Sequence, residues 1–169
     1  HGACVALARE VPDALVACSI FVNPTQFGPG EDLDAYPRAL EADVEKLRAW
    51  ECDALFAPAR EVVYPEPPRA WVAVDGVSEP LCGRFRPGHF RGVATVVTKL
   101  FHVVDPDVAV FGQKDAQQAL VVRTLVRQHI LSADPDAEAN LPMTTFQPSD
   151  LLLLRFLRQT QDTAVAAVR

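Results

Sequence analysis

The chain has 169 residues, 49% of them hydrophobic, which is typical of one globular domain with its own core. No apolar run approaches the ~20 residues that a membrane-spanning helix needs, so the sequence predicts no membrane segment. The formal net charge of −6 argues against a general nucleic-acid-binding protein, because phosphate neutralisation needs clustered lysine and arginine.

The four cysteines lie far apart and show neither a CxxC pair nor zinc-ligand spacing. We predict reduced thiols in a cytoplasmic protein, with Cys18 in the core. The chain starts at His1 without an initiator methionine or a signal-peptide pattern. We therefore expect it to be incomplete at its start.

Residues 14–22 form a continuous apolar run, which is typical of a strand buried on both faces of a parallel sheet. A polar loop with Asn23 and Gln26 follows at once. Open α/β sheets bind ligands at the carboxyl ends of their strands, so both amides are candidate ligand contacts. The alternative is turn formation, which suits the Asn-Pro pair but gives Gln26 no role.

The next segment predicts a strand–helix–strand crossover. Residues 38–50 have the apolar period of an amphipathic helix, and residues 54–57 form a short apolar run. This order implies a right-handed parallel connection from the first strand. Residues 71–74 are predicted as a further short strand at an edge.

Residues 81–92, here called the arginine loop, contain three glycines, three arginines and one histidine. Arginine binds carboxylate or phosphate in a bidentate way, and glycine lets backbone approach an anion. Arg86 and His89 are therefore candidates for an anion-binding loop. The alternative is a loop whose arginines pair with acidic neighbours.

Residues 93–104 carry apolar side chains at helical spacing, which predicts a strongly amphipathic helix. His102 lies off the apolar stripe and is predicted to be a surface or structural residue. A strand over residues 108–110 and a helix over residues 119–128 follow. Beyond them, residues 129–169 are predicted to form a divergent tail, a loop and then a terminal helix.

Between that strand and that helix, residues 111–118 read FGQKDAQQ. They place a lysine, an aspartate and the two neighbouring amides Gln117 and Gln118 at a helix start, where free N–H groups attract anions. The pattern predicts a site for a nucleotide or an acidic substrate. The alternative is an ordinary polar cap between a strand and a helix.

The sequence resembles the pantothenate synthetases, the pantoate–β-alanine ligases of bacteria and plants. The stretches that carry the resemblance, in order and spacing, are SIFVNPTQFG with EDLDAYPR over residues 19–38, RPGHFRGV over 86–93, and FGQKDAQQ over 111–118. The resemblance extends over residues 1–128 and implies an α/β, Rossmann-like nucleotidyltransferase fold with a parallel sheet. It also implies that the family's first strand and C-terminal lid domain are missing from this chain.

The resemblance implies an ATP-dependent, AMP-forming ligase. In the family, the pantoate carboxylate attacks the α-phosphate of ATP in the presence of Mg²⁺, giving pantoyl adenylate and pyrophosphate. The amine of β-alanine then displaces AMP. The expected partners are these small molecules and a second copy of the chain, because family members are commonly homodimers. No residue of this chain is assigned as a metal ligand.

The resemblance also assigns roles to individual residues. Gln26 and Gln118 would hold pantoate, with Asn23 supporting them. ATP would contact four consecutive residues, Gly112, Gln113, Lys114 and Asp115. Lys114 would act catalytically on the phosphates, and His1 is the second candidate for a catalytic role.

The family's H-x-G-H motif, whose histidines bind the ATP phosphates, is matched here by His1-Gly2-Ala3-Cys4. Either Cys4 replaces the second histidine, or His1 is the second and the first lies outside the chain. The family's Ser-Ser-Arg-Asn segment has no counterpart after residue 128. We therefore expect weak or no turnover. The alternatives are a non-catalytic protein that binds a pantoate-like acid or a protein partner, and another small-acid adenylyltransferase.

Overall fold

The structure, a computed structural model, describes residues 1–28, 39–112 and 116–128. These residues form an α/β arrangement. Its elements in chain order are α1 (Gly2–Arg9), β1 (Ala17–Ser19), α2 (Leu40–Ala49), β2 (Ala54–Phe56), α3 (Arg60–Val63), α4 (Cys82–Phe85), α5 (His89–Val104) and α6 (Ala116–Arg127). A 3-10 turn, Pro24–Gln26, follows β1. Among these described helices, none has the length and apolar character needed to cross a membrane.

The strands β1 and β2 pair in parallel, with Cys18 opposite Leu55, which confirms the predicted parallel pairing. The first strand is shorter than the apolar run of residues 14–22. Its ladder gains one more bond where the Ile20 N–H donates to the Phe56 carbonyl at 3.0 Å. An apolar run reports burial, whereas strand length depends on the partner, and β2 offers three residues.

The carboxylate of Asp53 joins α1 to the start of both strands. It accepts a hydrogen bond from the Val16 N–H at 2.8 Å and binds both terminal nitrogens of Arg9 at 3.0 Å. The Arg9–Asp53 pair is about one-third exposed, so the ion pair itself contributes at most ~1 kcal/mol. Its main effect is to fix where α1 lies against the sheet.

The helix α5 runs through the centre of the core, as its apolar period predicts. Its predicted apolar stripe packs in one core cluster, and Phe90 and Ala94 are buried in a second one. The stripe contains Val93, Val96, Val97, Leu100 and Phe101. His102 is exposed, and its Nδ1 bonds the Thr98 carbonyl of its own helix, as expected for a structural residue. The helix begins at His89, four residues earlier than predicted, because Gly88 caps it with a left-handed φ of 84°. Part of the arginine loop is therefore helical.

Two further strand predictions are wrong. The Val72 N–H donates to Thr95 Oγ1 at 3.0 Å, and the Arg91 guanidinium lies 4.5 Å from the Trp71 ring centroid. Residues 71–74 thus pack on α5 as an irregular segment. Residues 108–110 are not assigned to a strand either, although Ala109 and Val110 are buried. Residues 108–110 owe their apolar character to burial, whereas in residues 71–74 only Val74 is buried and Trp71 is exposed.

All four cysteines are free thiols, and three of them, Cys4, Cys18 and Cys52, lie in one core cluster. A hydrogen bond with Cys52 and burial raise the pKa of the Cys18 thiol, whereas Cys82 is exposed.

We expect iodoacetamide to label Cys82 of the native chain on the order of 100-fold faster than Cys18, because a buried neutral thiol reacts only after local opening. Mass spectrometry of the peptides measures both rates.

The control for this labelling is the chain in guanidinium chloride, where all four thiols should react at similar rates. Equal labelling of Cys18 and Cys82 in the native chain would contradict the burial of Cys18.

Candidate functional site

The side chain of Asn23 organises the loop after β1. It is 3% exposed, and its Oδ1 accepts hydrogen bonds from the Thr25 N–H at 3.3 Å and from Thr25 Oγ1 at 2.8 Å. Its Nδ2 donates to Gln26 Oε1 and to the Gly92 carbonyl, both at 3.2 Å. These four residues, called here the Asn23 network, give the loop one fixed shape.

The absence of a side chain at Gly92 lets α5 approach this loop. A Cβ atom on Gly92 would overlap the Thr25 carbonyl and lie 2.8 Å from the Gln26 nitrogen. The glycines of the arginine loop were predicted to let backbone approach an anion. For Gly92 the neighbour is instead the protein's own loop, which places the Asn23 network directly on α5.

His89, at the start of α5, joins the arginine loop to Gln26. Its Nδ1 donates to the Gln26 carbonyl at 2.9 Å, and Arg86 Nη1 donates to its Nε2 at 3.2 Å. Because a carbonyl only accepts and a guanidinium only donates, these two contacts suit an imidazole whose proton is on Nδ1. The structure therefore brings together four of the predicted site residues, Asn23, Gln26, Arg86 and His89.

Tyr64 contacts the Asn23 network through Thr25. Its hydroxyl donates to Thr25 Oγ1 at 3.3 Å, because the Thr25 hydroxyl donates its own proton to Asn23. Burial raises the pKa of the Tyr64 phenol, which keeps this donor protonated at neutral pH. The Lys99 ammonium lies 4.8 Å from the Tyr64 ring centroid and donates to the Val63 carbonyl at 2.8 Å.

Sequence reasoning missed Thr25, Tyr64 and Gly92 as parts of the site. Gly92 was placed in the arginine loop, just before the predicted helix over residues 93–104, so no helical pattern marked it as a site of close packing. Tyr64 carried no local sign either, because its partner Thr25 lies 39 residues away in the sequence.

The two neighbouring amides at the start of α6 have different environments. Gln117 Nε2 donates to the carbonyls of Val77 and Pro80, and its Oε1 accepts from the Cys82 N–H. Gln118 is half-buried, and among the described residues its side chain makes no hydrogen bond. Gln117, one of the two amides at the predicted helix start, thus bonds the protein itself.

Three of the four predicted ATP contacts lie outside the part of the chain that the structure describes. They are Gln113, Lys114 and Asp115, and Gly112 is half-buried just before them. His1 is the N-cap residue of α1, where its carbonyl accepts from the N–H groups of Cys4 and Val5. The Cys4 side chain is 2% exposed in the core.

A cavity of about 500 Å³ adjoins the arginine loop. Its charged lining residues are Arg86, Arg91 and Glu79, so positive charge predominates. Two guanidinium groups beside an open cavity suit a carboxylate or phosphate. Within the described ranges, no group of three or more His, Cys, Asp or Glu side chains is arranged to hold a metal ion.

Comparison with solved structures shows the same fold. A pantothenate synthetase from Thermus thermophilus matches with a TM-score of 0.72 and 52% identity, covering 76% of this chain and 46% of the other. A pantoate–β-alanine ligase from Francisella tularensis, in complex with β-γ ATP and β-alanine, matches with a TM-score of 0.76 and 34% identity, covering 89% and 56%. The predicted α/β nucleotidyltransferase-like fold is confirmed.

Curated relatives give the same result. The chain is 59% identical over 129 residues to the pantothenate synthetase of Azotobacter vinelandii, covering 75% of this chain and 45% of the relative. It is 59% identical over 118 residues to that of Salinibacter ruber, covering 66% and 40%. The chain thus spans less than half the length of these relatives.

The family model described as pantoate-beta-alanine ligase matches residues 1–134, which is most of the chain and agrees with the extent of the resemblance in the sequence. The chain therefore belongs to the pantoate-beta-alanine ligase family.

Proposed function

We propose that this chain takes part in the ATP-dependent condensation of pantoate with β-alanine, through a pantoyl-adenylate intermediate. The observation that carries the proposal is the Asn23 network, which fixes Gln26 beside His89 and the arginine loop. The family membership and the Francisella neighbour, solved with β-γ ATP and β-alanine, support ATP and β-alanine as substrates.

In this proposal Gln26 and Gln118 hold the hydroxyl and carboxylate groups of pantoate. Because Asn23 Nδ2 donates to Gln26 Oε1, the Gln26 amide group is oriented with its own N–H donors free to point elsewhere. A fixed amide aligns the pantoate carboxylate with the α-phosphate and reduces the entropy lost on reaching the reactive geometry. The carboxylate oxygen then forms the bond to phosphorus, and pyrophosphate leaves.

Charge on the phosphates is assigned to Lys114, with Gly112, Gln113 and Asp115 as further ATP contacts. A lysine near the reacting phosphorus stabilises the charge that develops in the transition state. In the second step the amine of β-alanine attacks the acyl carbon, AMP leaves, and the amine loses a proton. The described residues offer no ready metal site, so Mg²⁺ is expected to arrive on the ATP phosphates.

For the H-x-G-H motif we propose that His1 corresponds to the second histidine. A thiol that is 2% exposed in the core cannot contact a nucleotide, so the burial of Cys4 disfavours the register in which Cys4 replaces that histidine. His1, at the first turn of α1, would then lie on the phosphate side. A homodimer, a cytoplasmic location and a tail over residues 129–169, which lie outside the described residues, remain predictions.

A non-catalytic acid-binding protein is the second candidate. The observation that favours it is that the Asn23 network includes none of the residues assigned to ATP, so acid binding need not depend on the nucleotide. The two candidates differ in one measurable respect. The ligase releases pyrophosphate from ATP when pantoate is added, and the acid-binding protein does not.

We expect isothermal titration calorimetry to detect pantoate binding by the purified chain. Gln26→Ala and Gln118→Ala should each raise the Kd by roughly 10- to 100-fold, because a hydrogen bond to a charged ligand contributes about 1.5–3 kcal/mol. The matched control is Gln128→Ala at the exposed end of α6, which should leave the Kd unchanged.

Failure of the parent chain to bind pantoate, or unchanged affinity in Gln26→Ala, would overturn the assignment of the acid site. A pyrophosphate-release assay with ATP and pantoate then decides between the two candidates. Turnover near that of an ordinary family member would contradict the weak turnover expected from the sequence.

A further inference from the structure

The carboxamide of Gln117 fastens a distant segment of chain to the start of α6. Its Nε2 donates to the Val77 carbonyl at 3.0 Å and to the Pro80 carbonyl at 2.6 Å. Its Oε1 accepts from the Cys82 N–H at 3.1 Å. One side chain therefore satisfies three backbone groups of residues 77–82, which lie 35–40 residues earlier in the sequence.

The segment needs such a contact because its backbone is strained. Leu81 has a φ of 51°, in the region that non-glycine residues rarely adopt, and it provides no side-chain cap for α4. Gln117 supplies the missing acceptor at the first N–H of that helix. The Leu81 side chain is itself exposed, so burial of this side chain does not offset the strain.

The fastened segment leads directly into the acid site. α4 is followed by Arg86, whose carbonyl accepts from the His89 N–H and whose guanidinium bonds the His89 ring. His89 in turn bonds Gln26. A continuous series of contacts thus runs from Gln117 to Gln26, while Gln118, the next residue along α6, is the other amide assigned to pantoate.

We propose that Gln117 is a positioning residue that holds residues 77–86 against α6 and thereby sets Arg86 and His89 in register with Gln26 and Gln118. This proposal rests on the proposed function for its effect on ligand binding. Its structural part, the fastening of residues 77–86, is independent of that function.

The test compares the parent chain with Gln117→Ala and Gln117→Glu. The glutamate keeps an acceptor for the Cys82 N–H but sets a carboxylate oxygen against the carbonyls of Val77 and Pro80. Hydrogen–deuterium exchange of residues 77–86 should become about tenfold faster in both variants, because each lost hydrogen bond lowers the free energy of local opening. The pantoate Kd should rise by a similar factor.

The matched control is Thr124→Ala on the same helix, where the hydroxyl donates to the Leu120 carbonyl of α6 itself. It should change neither the exchange of residues 77–86 nor the Kd. Unchanged exchange in Gln117→Ala would overturn the fastening role, and faster exchange with unchanged affinity would overturn the positioning role. If the parent chain itself fails to bind pantoate, the proposed function fails, and the exchange comparison still decides whether Gln117 fastens the segment.

Discussion

Gly92→Ala is expected to lower the free energy of unfolding by about 2 kcal/mol, within the 1–3 kcal/mol that overpacking typically costs. The direction is opposite to helix propensity, because alanine inside a helix is normally about 1 kcal/mol better than glycine. Here the added Cβ would overlap the backbone of Thr25, which cannot move away as a flexible side chain could. Relief of the overlap would require α5 to separate from the Asn23 network, so pantoate affinity should fall as well.

Urea unfolding followed by circular dichroism measures the first effect, and titration calorimetry measures the second. Gly28→Ala is the matched control, because a Cβ there meets no described residue within 4 Å. Its free energy of unfolding should stay within the normal range of surface substitutions, about ±0.5 kcal/mol from that of the parent chain. Greater stability in Gly92→Ala than in the parent would show that α5 does not pack against the loop as closely as described.

Asn23→Asp should cost about 3 kcal/mol of stability, because a buried acceptor left without a donor costs 1–3 kcal/mol and a charged group costs more. The substitution preserves shape but removes both donors of Nδ2. It sets a carboxylate oxygen against the Gly92 carbonyl and Gln26 Oε1. Rotation of the Gln26 amide can turn its Nε2 donors toward the new carboxylate, but the Gly92 carbonyl is backbone and stays opposed unless the loop moves. Either response takes Gln26 out of its native orientation.

The stability deficit of Asn23→Asp should shrink as the pH falls. Burial raises the pKa of a carboxyl in the folded chain above its unfolded value, so the folded state gains protons more readily and is favoured at lower pH. Thr25→Ser is the control, since it keeps the hydroxyl that bonds Asn23 Oδ1. A deficit that is the same at every pH would contradict a buried carboxyl facing the Gly92 carbonyl.

The sequence predicted α2, α5 and α6 to within a few residues of their bounds, but it did not predict the short helices α3 and α4. The apolar stripe of α5 predicted a buried face of this helix, because apolar side chains that recur every 3.6 residues lie on one side of a helix. Strand lengths could not be predicted in the same way. Within the run over residues 14–22, Val16, Cys18 and Ser19 are buried whereas Leu15 is exposed, and β2 pairs with three residues of the run.

The sequence singled out polar residues of the candidate site, but it did not predict the contacts that position them. Asn23 and Gln26 stand out as amides after a buried strand, and His89 and Arg86 stand out in a glycine-rich basic loop. Their connection depends on contacts between distant segments, such as His89 to Gln26 and Asn23 to Gly92, which no local pattern contains. Gln117 shows the opposite case, because its position suggested a ligand contact and tertiary packing gave it a structural partner.

The bond from Asn23 to the Gly92 carbonyl joins residues 69 positions apart. Closing a loop of that length costs chain entropy before the closing contact can form, and such non-local contacts slow folding. The residues after β1 therefore cannot hold their folded shape as a short peptide. They acquire it only after the chain has brought α5 back onto them, so the proposed acid site is completed late in folding.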